Sequence, residues 1–494
     1  MRDVGLATRS ALRVSADPAR VISRLFIPGQ ELAGGSESRT TRTIERVLAL
    51  SDDEVNATVD ELFERFASRH ADLAGIFDRH ADLVYERVEA DAVLFDGRRR
   101  LLGATFTHEY ALEGSAVCNP SLVPHFDQTD LPAGALRVIL SYRAIGEGHL
   151  SSICFRPGHI DASGILTLDE PGRHPVVATT SLTTLGRDQF RAKLREVECD
   201  GETAASVLDH LGPTFSQAEL EMAALRLVAQ GDTRLNAEYT GMLLLSIARC
   251  FYEASFDPSD ALARRVLWPA TPLEAHGMED ARFVRFDDAG DVRYLATYVA
   301  YDGTTVSQQL LETRDFVTFT SSPLTGEAAR NKGLAIFPRR VDGLFLALSR
   351  HDRESNSLSR SDTLHHWESA TPTHEPAQSW ELLQLGNCGS PLELADGWLV
   401  LTHGVGPMRT YGIGAILLDL DDPRRILKYL PGPLLAPADG DQDGYVPNVV
   451  YSCGSLVHEG RLHLPFGIND CAIGFATVEV AALIAAMVPA PAGG

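Results

Sequence analysis

The stretch Met278-Glu279-Asp280-Ala281-Arg282 sets two carboxylates and a guanidinium side by side, just ahead of a run with strand character. Other polar groups stand in short motifs far apart along the chain: Asn119 in "CNPS", Arg143 in "SYRAIGEGH", Asp302 in "AYDG", Lys332 in "NKGLAIFP", Arg350 and Asp352 in "LSRHDRE", Asn387 in "GNCGSP", His403 and Arg409 in "THGVGPMR", and Asp470 in "GINDC". Carboxylates, amides and cations interspersed with aromatics are what a sugar site needs. Hydroxyl groups exchange paired hydrogen bonds with Asp, Asn and Arg, while a ring face packs on an aromatic. Breaking a bond between sugars further requires an acid that protonates the departing oxygen, and burial or a like-charged neighbour raises a carboxyl toward that role. Glu279 beside Asp280 supplies the neighbour, although adjacent residues of a regular strand point to opposite faces. Taken singly, each group has a plainer reading. Acid–arginine pairs at strand ends are often structural salt bridges, a lone lysine such as Lys332 is usually solvated, and His403 before a glycine suits a turn. Recurrence at comparable places along the chain is what favours one shared site.

The elements that would gather these groups are β hairpins. An acidic residue and glycine, or a similar turn, precedes an apolar run in "FDGRRRLLGATF", "DDAGDVRYLATYVAYDG", "VDGLFLALSRHD", "ADGWLVLTHGVG" and "HEGRLHLPFGINDC", the signature of a turn that accepts positive φ followed by a strand. Gly290, Gly343, Gly397 and Gly460 recur at a spacing somewhat longer than the roughly 40 to 50 residues of common propeller blades. The expected fold is therefore mainly β, a five-bladed β-propeller whose innermost strands converge on a central channel, with an irregular β-sandwich as the alternative. Two stretches read as helical. One runs from Arg39 to Val84, with Ser51 and Glu54 as a capping box and Val55, Val59, Leu62, Phe63 and Phe66 on one face; the other runs from Arg187 to Phe251, with Ser216 and Glu219 as a second box and an apolar run "TGMLLLSIARCFYEA" that suggests a buried helix. The expected division is an N-terminal helical region over 1–90, the propeller over 91–186 and 252–490, and a helical insertion over 187–251.

The balance of 67 acidic against 44 basic residues, a net charge of −23 over 494 residues, disfavours attraction to phosphate backbones or anionic membranes, so nucleic acid is not an expected partner. Seven scattered cysteines show neither a CxxC nor a Cys/His ligand spacing, which speaks against a disulfide framework or a metal site. No apolar stretch reaches the roughly 18 residues of a membrane span, and the first 21 residues lack an apolar signal core. The expectation is a soluble cytoplasmic protein; a homo-oligomer is compatible with the helical additions.

Taken in order, "GMEDARFVRF", "NKGLAIFP", "GNCGSPLELADGWLVLTHGV", "IGAILLDLDDPRRIL" and "GYVPNVVYSCGSLV…LHLPFGINDCAIGFATVEV" resemble glycoside hydrolase family 130, the β-mannoside phosphorylases and related β-mannosidases. The likeness runs from about Ala116 to Met487 outside the helical insertion, and the additions look like those of a longer branch. It implies a five-bladed propeller and an inverting cleavage of a β-mannosidic bond in a small oligosaccharide. Asp280, the residue matching the family's E-D-P-R-like aspartate, is then the acid, and its proton reaches the bridging oxygen through a mannosyl hydroxyl. The nucleophile is inorganic phosphate as co-substrate in phosphorylases, giving α-mannose 1-phosphate, or water in hydrolases; no cofactor or metal is implied.

The resemblance assigns Arg143, Lys332, His403 and Arg409 to the phosphate side. The residues expected to bind the sugar are Asn119, Arg143, Glu279, Arg282, Asp302, Arg350, Asp352, Asn387 and Asp470. One departure stands out: after "AYDG", where phosphorylases carry a phosphate-holding arginine in the next strand, this chain has Val306, Ser307 and Gln308. Arg339 and Arg340 are the candidates to compensate. Phosphorolysis is the leading expectation, hydrolysis with Glu147 or Glu312 as base the second, and a non-catalytic sugar-binding propeller the third.

Overall fold

A computed structural model of the chain describes residues 2–28, 39–85, 94–229 and 237–491. It divides into two compact units, one of Met1–Ala16, Ser115–Pro171 and Val177–Gly494, the other of Asp17–Gly114 and Gly172–Val176.

The larger unit is mainly β and, among the described residues, contains five antiparallel sheets of four or more strands. The first runs Ala116–Pro124, Leu136–Ile145, Ser151–Ile160, Arg265–Leu267. The second runs Gly277–Asp288, Asp291–Tyr301, Val306–Thr313, Thr318–Pro323, Tyr252–Ser255, Thr179–Leu182. The third is Ala335–Ile336, Phe345–Ser349, Asn356–Ser361, Ala370–His374. The fourth is Gln384–Asn387, Gly397–Val405, Tyr411–Leu418, Ile426–Tyr429, Val488–Pro489. The fifth is Val450–Tyr451, Arg461–Ile468, Ala472–Glu479, Thr8–Ser15.

Each sheet packs against the next: Ala116–Pro124 against Gly277–Asp288, Asp291–Tyr301 against Ala335–Ile336, Phe345–Ser349 against Gln384–Asn387, and Tyr411–Leu418 against Val450–Tyr451. Arg461–Ile468 of the fifth sheet then packs against Ala116–Pro124 of the first. Strands covered on both faces lose the polar alternation of a half-exposed strand, and Ala116–Pro124 and Gly397–Val405 are buried along almost their whole length for that reason. The cores between sheets are aliphatic and aromatic: Phe286, Leu295, Leu310, Ile336, Phe345 and Trp367 between the second and third, Phe337, Leu348, Trp398 and Ile416 between the third and fourth.

Three expectations are corrected. The strand Thr8–Ser15 lies inside the segment expected to be helical and pairs with Ala472–Glu479, at the far end of the chain; its partly exposed sequence becomes a strand because a partner edge is offered, not because its own pattern demands it. The "FDGRRRLLGATF" motif is not a turn and strand but the helix Asp96–Thr105, which lies in the segment expected to belong to the propeller, beyond the boundary at residue 90; that residue lies outside those described. The helix Ala237–Ala248 is buried on one face only, through Leu244 and Ile247, while Met242 is exposed.

The helical stretch Arg187–Glu196, Glu202–Leu208, Gln217–Ala229 and Ala237–Ala248 leaves and returns at the outer edge of the second sheet, between the paired strands Thr179–Leu182 and Tyr252–Ser255. Residues 230–236 of this stretch lie outside those described. Its core is Phe190, Leu194, Val207, Phe215, Leu220, Leu244 and Phe251. The Ser216–Glu219 box forms, Ser216 N donating to Glu219 Oε2 at 2.7 Å and Glu219 N to Ser216 Oγ at 3.2 Å.

The smaller unit pairs Val21–Leu25 with Thr107–Ala111 and packs the helices Arg39–Ala49, Asp52–Phe66, Leu73–Tyr85 and Asp96–Thr105 around Ile44, Val55, Val84, Leu102 and Phe106. Ser51 and Glu54 cap the second helix reciprocally, satisfying backbone donors that its first turn leaves open. Among the described residues no helix is long and apolar enough to cross a membrane.

Candidate active site

The first strands of two sheets, Ala116–Pro124 and Gly277–Asp288, bring residues to the site because they are irregular. In Gly277–Asp288 the pairing with Asp291–Tyr301 slips between Glu279 and Arg282, so Asp280 and Ala281 together face Tyr298 alone. This is a β-bulge, with Asp280 in the left-handed region at φ 55°. The bulge breaks the two-residue alternation that would send Glu279 and Asp280 to opposite faces. The first sheet repeats the device: Asn119 and Pro120 face Tyr142 alone, and Asn119 has φ 49°. Arg409 and Asp470 sit in turns, also with positive φ, at 54° and 51°. Strain of this kind persists only where the surroundings over-determine it, and it gathers at functional sites.

A cavity of about 210 Å³ opens where these segments converge, lined by Asn119, Arg143, Asp280, Lys332, Arg350, His403, Arg409 and Asp470 together with Gln384, Tyr411, Val446, Val449 and Tyr451. Glu279 lies behind the lining and binds two cations at once: Arg143 Nη2 donates to Oε1 at 2.8 Å and Lys332 Nζ to Oε2 at 2.5 Å. Arg282 is fully buried below the cavity, its Nη1 donating to Asn387 Oδ1 at 2.8 Å and its Nη2 to the Tyr451 hydroxyl at 2.6 Å. Arg350 and Arg409 have no carboxylate within ion-pair distance among the described residues, and Arg350 Nε is buried without a partner.

The electrostatics follow from this packing. Burial opposes the charge on Lys332, but the carboxylates of Asp280 and Glu279 outweigh it and hold the ammonium above its usual range. Burial and the negative charge of Asp280 push the Asp470 carboxyl up to about 6, against the pull of Arg143 and Arg409. Burial, reinforced by Arg350 and Arg282, drives the His403 imidazole well below its usual range. His403 Nδ1 lies 3.0 Å from the carbonyl of Asn387 and donates to it, leaving Nε2 as an acceptor. His403 is thus neutral, which corrects its expected place among the cations.

Two expected sugar ligands lie elsewhere. Asp302 accepts from Thr304 N and Thr305 N, both at 2.7 Å, and Asp352 from Glu354 N and Ser355 N, both at 3.0 Å. Both carboxylates close their own turns and neither lines the cavity. Arg339 and Arg340 pair with Glu393 and Asp288, at 2.6 and 3.0 Å, and are not available to compensate for a missing cation. Glu312 pairs with Arg293 at 3.4 Å; neither it nor Glu147 lines the cavity. Among the lining residues not nominated individually, Val446, Val449 and Tyr451 stood within the quoted "GYVPNVVYSCGSLV", whereas Gln384 and Tyr411 carry no signal of their own.

Residues 250–488 match the family model Glyco_hydro_130, described as beta-1,4-mannooligosaccharide phosphorylase. The matched segment makes up just under half of the 494-residue chain. It contains Asp280, Lys332, Arg350, His403, Arg409 and Asp470, whereas Asn119 and Arg143 reach the same cavity from outside it. Over 241 residues the chain is 29% identical to a 1,2-beta-oligomannan phosphorylase of Thermoanaerobacter sp. (strain X514), a match covering 47% of this chain and 79% of that protein. Over 230 residues it is 28% identical to a Beta-1,2-mannobiose phosphorylase of Listeria innocua serovar 6a, covering 44% of this chain and 62% of the relative. Among solved structures, a Beta-1,2-Mannobiose phosphorylase from Listeria innocua in complex with beta-1,2-mannobiose aligns over 76% of this chain and 92% of its own, with a TM-score of 0.43 and 19% identity.

Proposed function

We propose that this chain is an inverting β-mannoside phosphorylase, built as a five-bladed β-propeller, that transfers the mannosyl group of a manno-oligosaccharide to inorganic phosphate as α-mannose 1-phosphate. The observation that carries the reading is the charge of the cavity. Arg143 and Lys332 share one carboxylate, Glu279, while Arg350 and Arg409 have none of their own among the described residues. Such an excess of fixed cation beside a candidate acid suits a phosphate dianion, which Arg binds by paired hydrogen bonds and Lys as a point charge. In the reaction, a phosphate oxygen bonds to the anomeric carbon as that carbon's bond to the bridging oxygen breaks. The bridging oxygen takes the proton that Asp280 gives up, relayed by a mannosyl hydroxyl, and the new bond forms on the opposite face of the ring. The matched relatives, named as mannoside phosphorylases, support this reading, and the cyclic order in which the five sheets pack supports the propeller. Seven free cysteines suit the reducing cytoplasm as its place of work.

Two observations favour hydrolysis instead: Val306, Ser307 and Gln308 supply no cation where phosphorylases are expected to carry one, and His403 is neutral. In that reading Asp470, the other carboxylate lining the cavity, is the base that activates water. Incubation with β-mannobioses with and without phosphate decides between them. Mannose 1-phosphate formed only when phosphate is present is expected; free mannose formed equally in both overturns phosphorolysis.

A further inference from the structure

We infer that Gln308 is a positioning residue for this reaction, its buried amide fixing the backbone that presents Lys332 to the cavity. The inference rests on the phosphorolytic reading, in which Lys332 is a phosphate cation. Gln308 is 3% exposed on the strand Val306–Thr313, opposite Val299, and does not line the cavity. With its amide oriented by the surrounding hydrogen bonds, Oε1 accepts from Gly333 N at 3.2 Å and Leu334 N at 3.0 Å, the two residues that follow Lys332. The two carbonyls of the same dipeptide are also held by side chains: Asn387 Nδ2 donates to Gly333 O at 2.7 Å and Thr297 Oγ1 to Leu334 O at 2.5 Å.

All four polar backbone atoms of Gly333 and Leu334 are therefore taken by side chains from the second and fourth sheets. Gly333 adopts φ 95°, the left-handed region, so the chain turns sharply just after the lysine. Asn387 belongs to the same network as Arg282, from which it accepts at 2.8 Å, and Arg282 is the first paired residue after the bulge that carries Asp280. Without the Gln308 acceptor, two buried N–H groups lose their partner and the turn relaxes. Lys332 then no longer holds its position between Glu279 and the cavity. In place of a cation on this strand, the chain uses a neutral amide to steady a cation in the bend that leads into the third sheet.

The test is a double-mutant cycle on phosphate affinity. Gln308→Met keeps the length and removes the acceptor, and Gln308→Glu keeps the acceptor; both are combined with Lys332→Met. Gln308→Met is expected to raise the KM for phosphate about tenfold, the scale of one lost hydrogen bond, with the KM for the mannoside within about twofold. Gln308→Glu is expected to restore the phosphate KM, and Gln308→Met to add nothing once Lys332 is gone. Equal rises in both KM values, or a further tenfold rise in the Lys332→Met background, overturns the inference. Should Gln308→Met not fold, Gln308→Asn, which withdraws the acceptor by one methylene, is read in the same cycle. A wild-type enzyme indifferent to phosphate overturns the phosphorolytic reading alone; the cycle is then read on kcat for hydrolysis, where additivity of the two substitutions overturns the clamp.

Discussion

Asp470 gives the most direct handle on the electrostatics of the cavity. Its carboxyl titrates at about 6 in the folded protein, because burial and the Asp280 charge outweigh Arg143 and Arg409, and at about 3.9 in an unfolded chain. A group raised in the folded state favours folding fully below its unfolded value and withdraws that support as the pH climbs through its folded one. The window is therefore about pH 4 to 6. The two titration points stand about two pH units apart, and at about 1.4 kcal/mol each the linked stability is about 3 kcal/mol. Asn has the shape of the protonated acid but cannot ionise. Asp470→Asn is thus expected to match the wild type near pH 4, to gain on it steadily as the pH rises, and to hold an advantage of about 3 kcal/mol above pH 6. Urea unfolding followed by tryptophan fluorescence at half-unit steps from pH 4.5 to 8 measures this, with Asp302→Asn, in a turn away from the cavity, as the control. An advantage that stays flat across the series, or one that favours the wild type at pH 7.5, would mean that the two arginines win over burial, and the account of the cavity's field would be wrong.

Asp280→Asn should lower kcat by about a hundredfold or more while ligand affinity by calorimetry stays near the wild-type value; unchanged function would indicate a binding module instead of an enzyme. Gly386→Ala places a Cβ 2.5 Å from His403 Cε1 and 3.0 Å from Arg350 Cδ, so it should push both side chains out of register and weaken phosphate and mannoside binding together, read as a rise in both KM values. Glu279→Gln leaves Arg143 and Lys332 without their shared carboxylate. Breaking a buried pair costs about 3 to 5 kcal/mol, and because Lys332 is partly exposed the expected loss is about 2 kcal/mol, seen as a lower urea midpoint at unchanged slope.

What the sequence made legible was chemistry that recurs, and what it hid was geometry that depends on distant partners. Eight of the nominated residues line one cavity, although they are spread from Asn119 to Asp470, because the hairpin motifs around them belong to successive sheets. Asp302 and Asp352 look the same in a local reading, acidic residues beside a turn, yet their side chains accept from their own backbone two and three residues on. An aspartate that builds a turn and one that faces a ligand have identical local signatures. The charge of His403 was equally out of reach, since it depends on Asn387, Arg350 and Arg282, which only the fold brings beside it.

The bulges show why the acid site works although strand alternation argues against it. In a regular strand Glu279 and Asp280 would face opposite ways, and one carboxylate could not organise cations while its neighbour faced the ligand. The extra residue in Gly277–Asp288 leaves Glu279 turned to Arg143 and Lys332 and brings Asp280 into the same cavity. The same insertion in Ala116–Pro124 brings Asn119 in from the first sheet, with Arg143 delivered by the paired strand at the register position just before the slip. Two sheets thus use one backbone device at matching places, each opposite a tyrosine, Tyr142 and Tyr298. Removing either bulge would restore alternation and turn a lining residue out of the cavity, so deletion of Ala281 should abolish turnover even with Asp280 intact, and retention of activity would show that the acid needs no left-handed backbone to do its work.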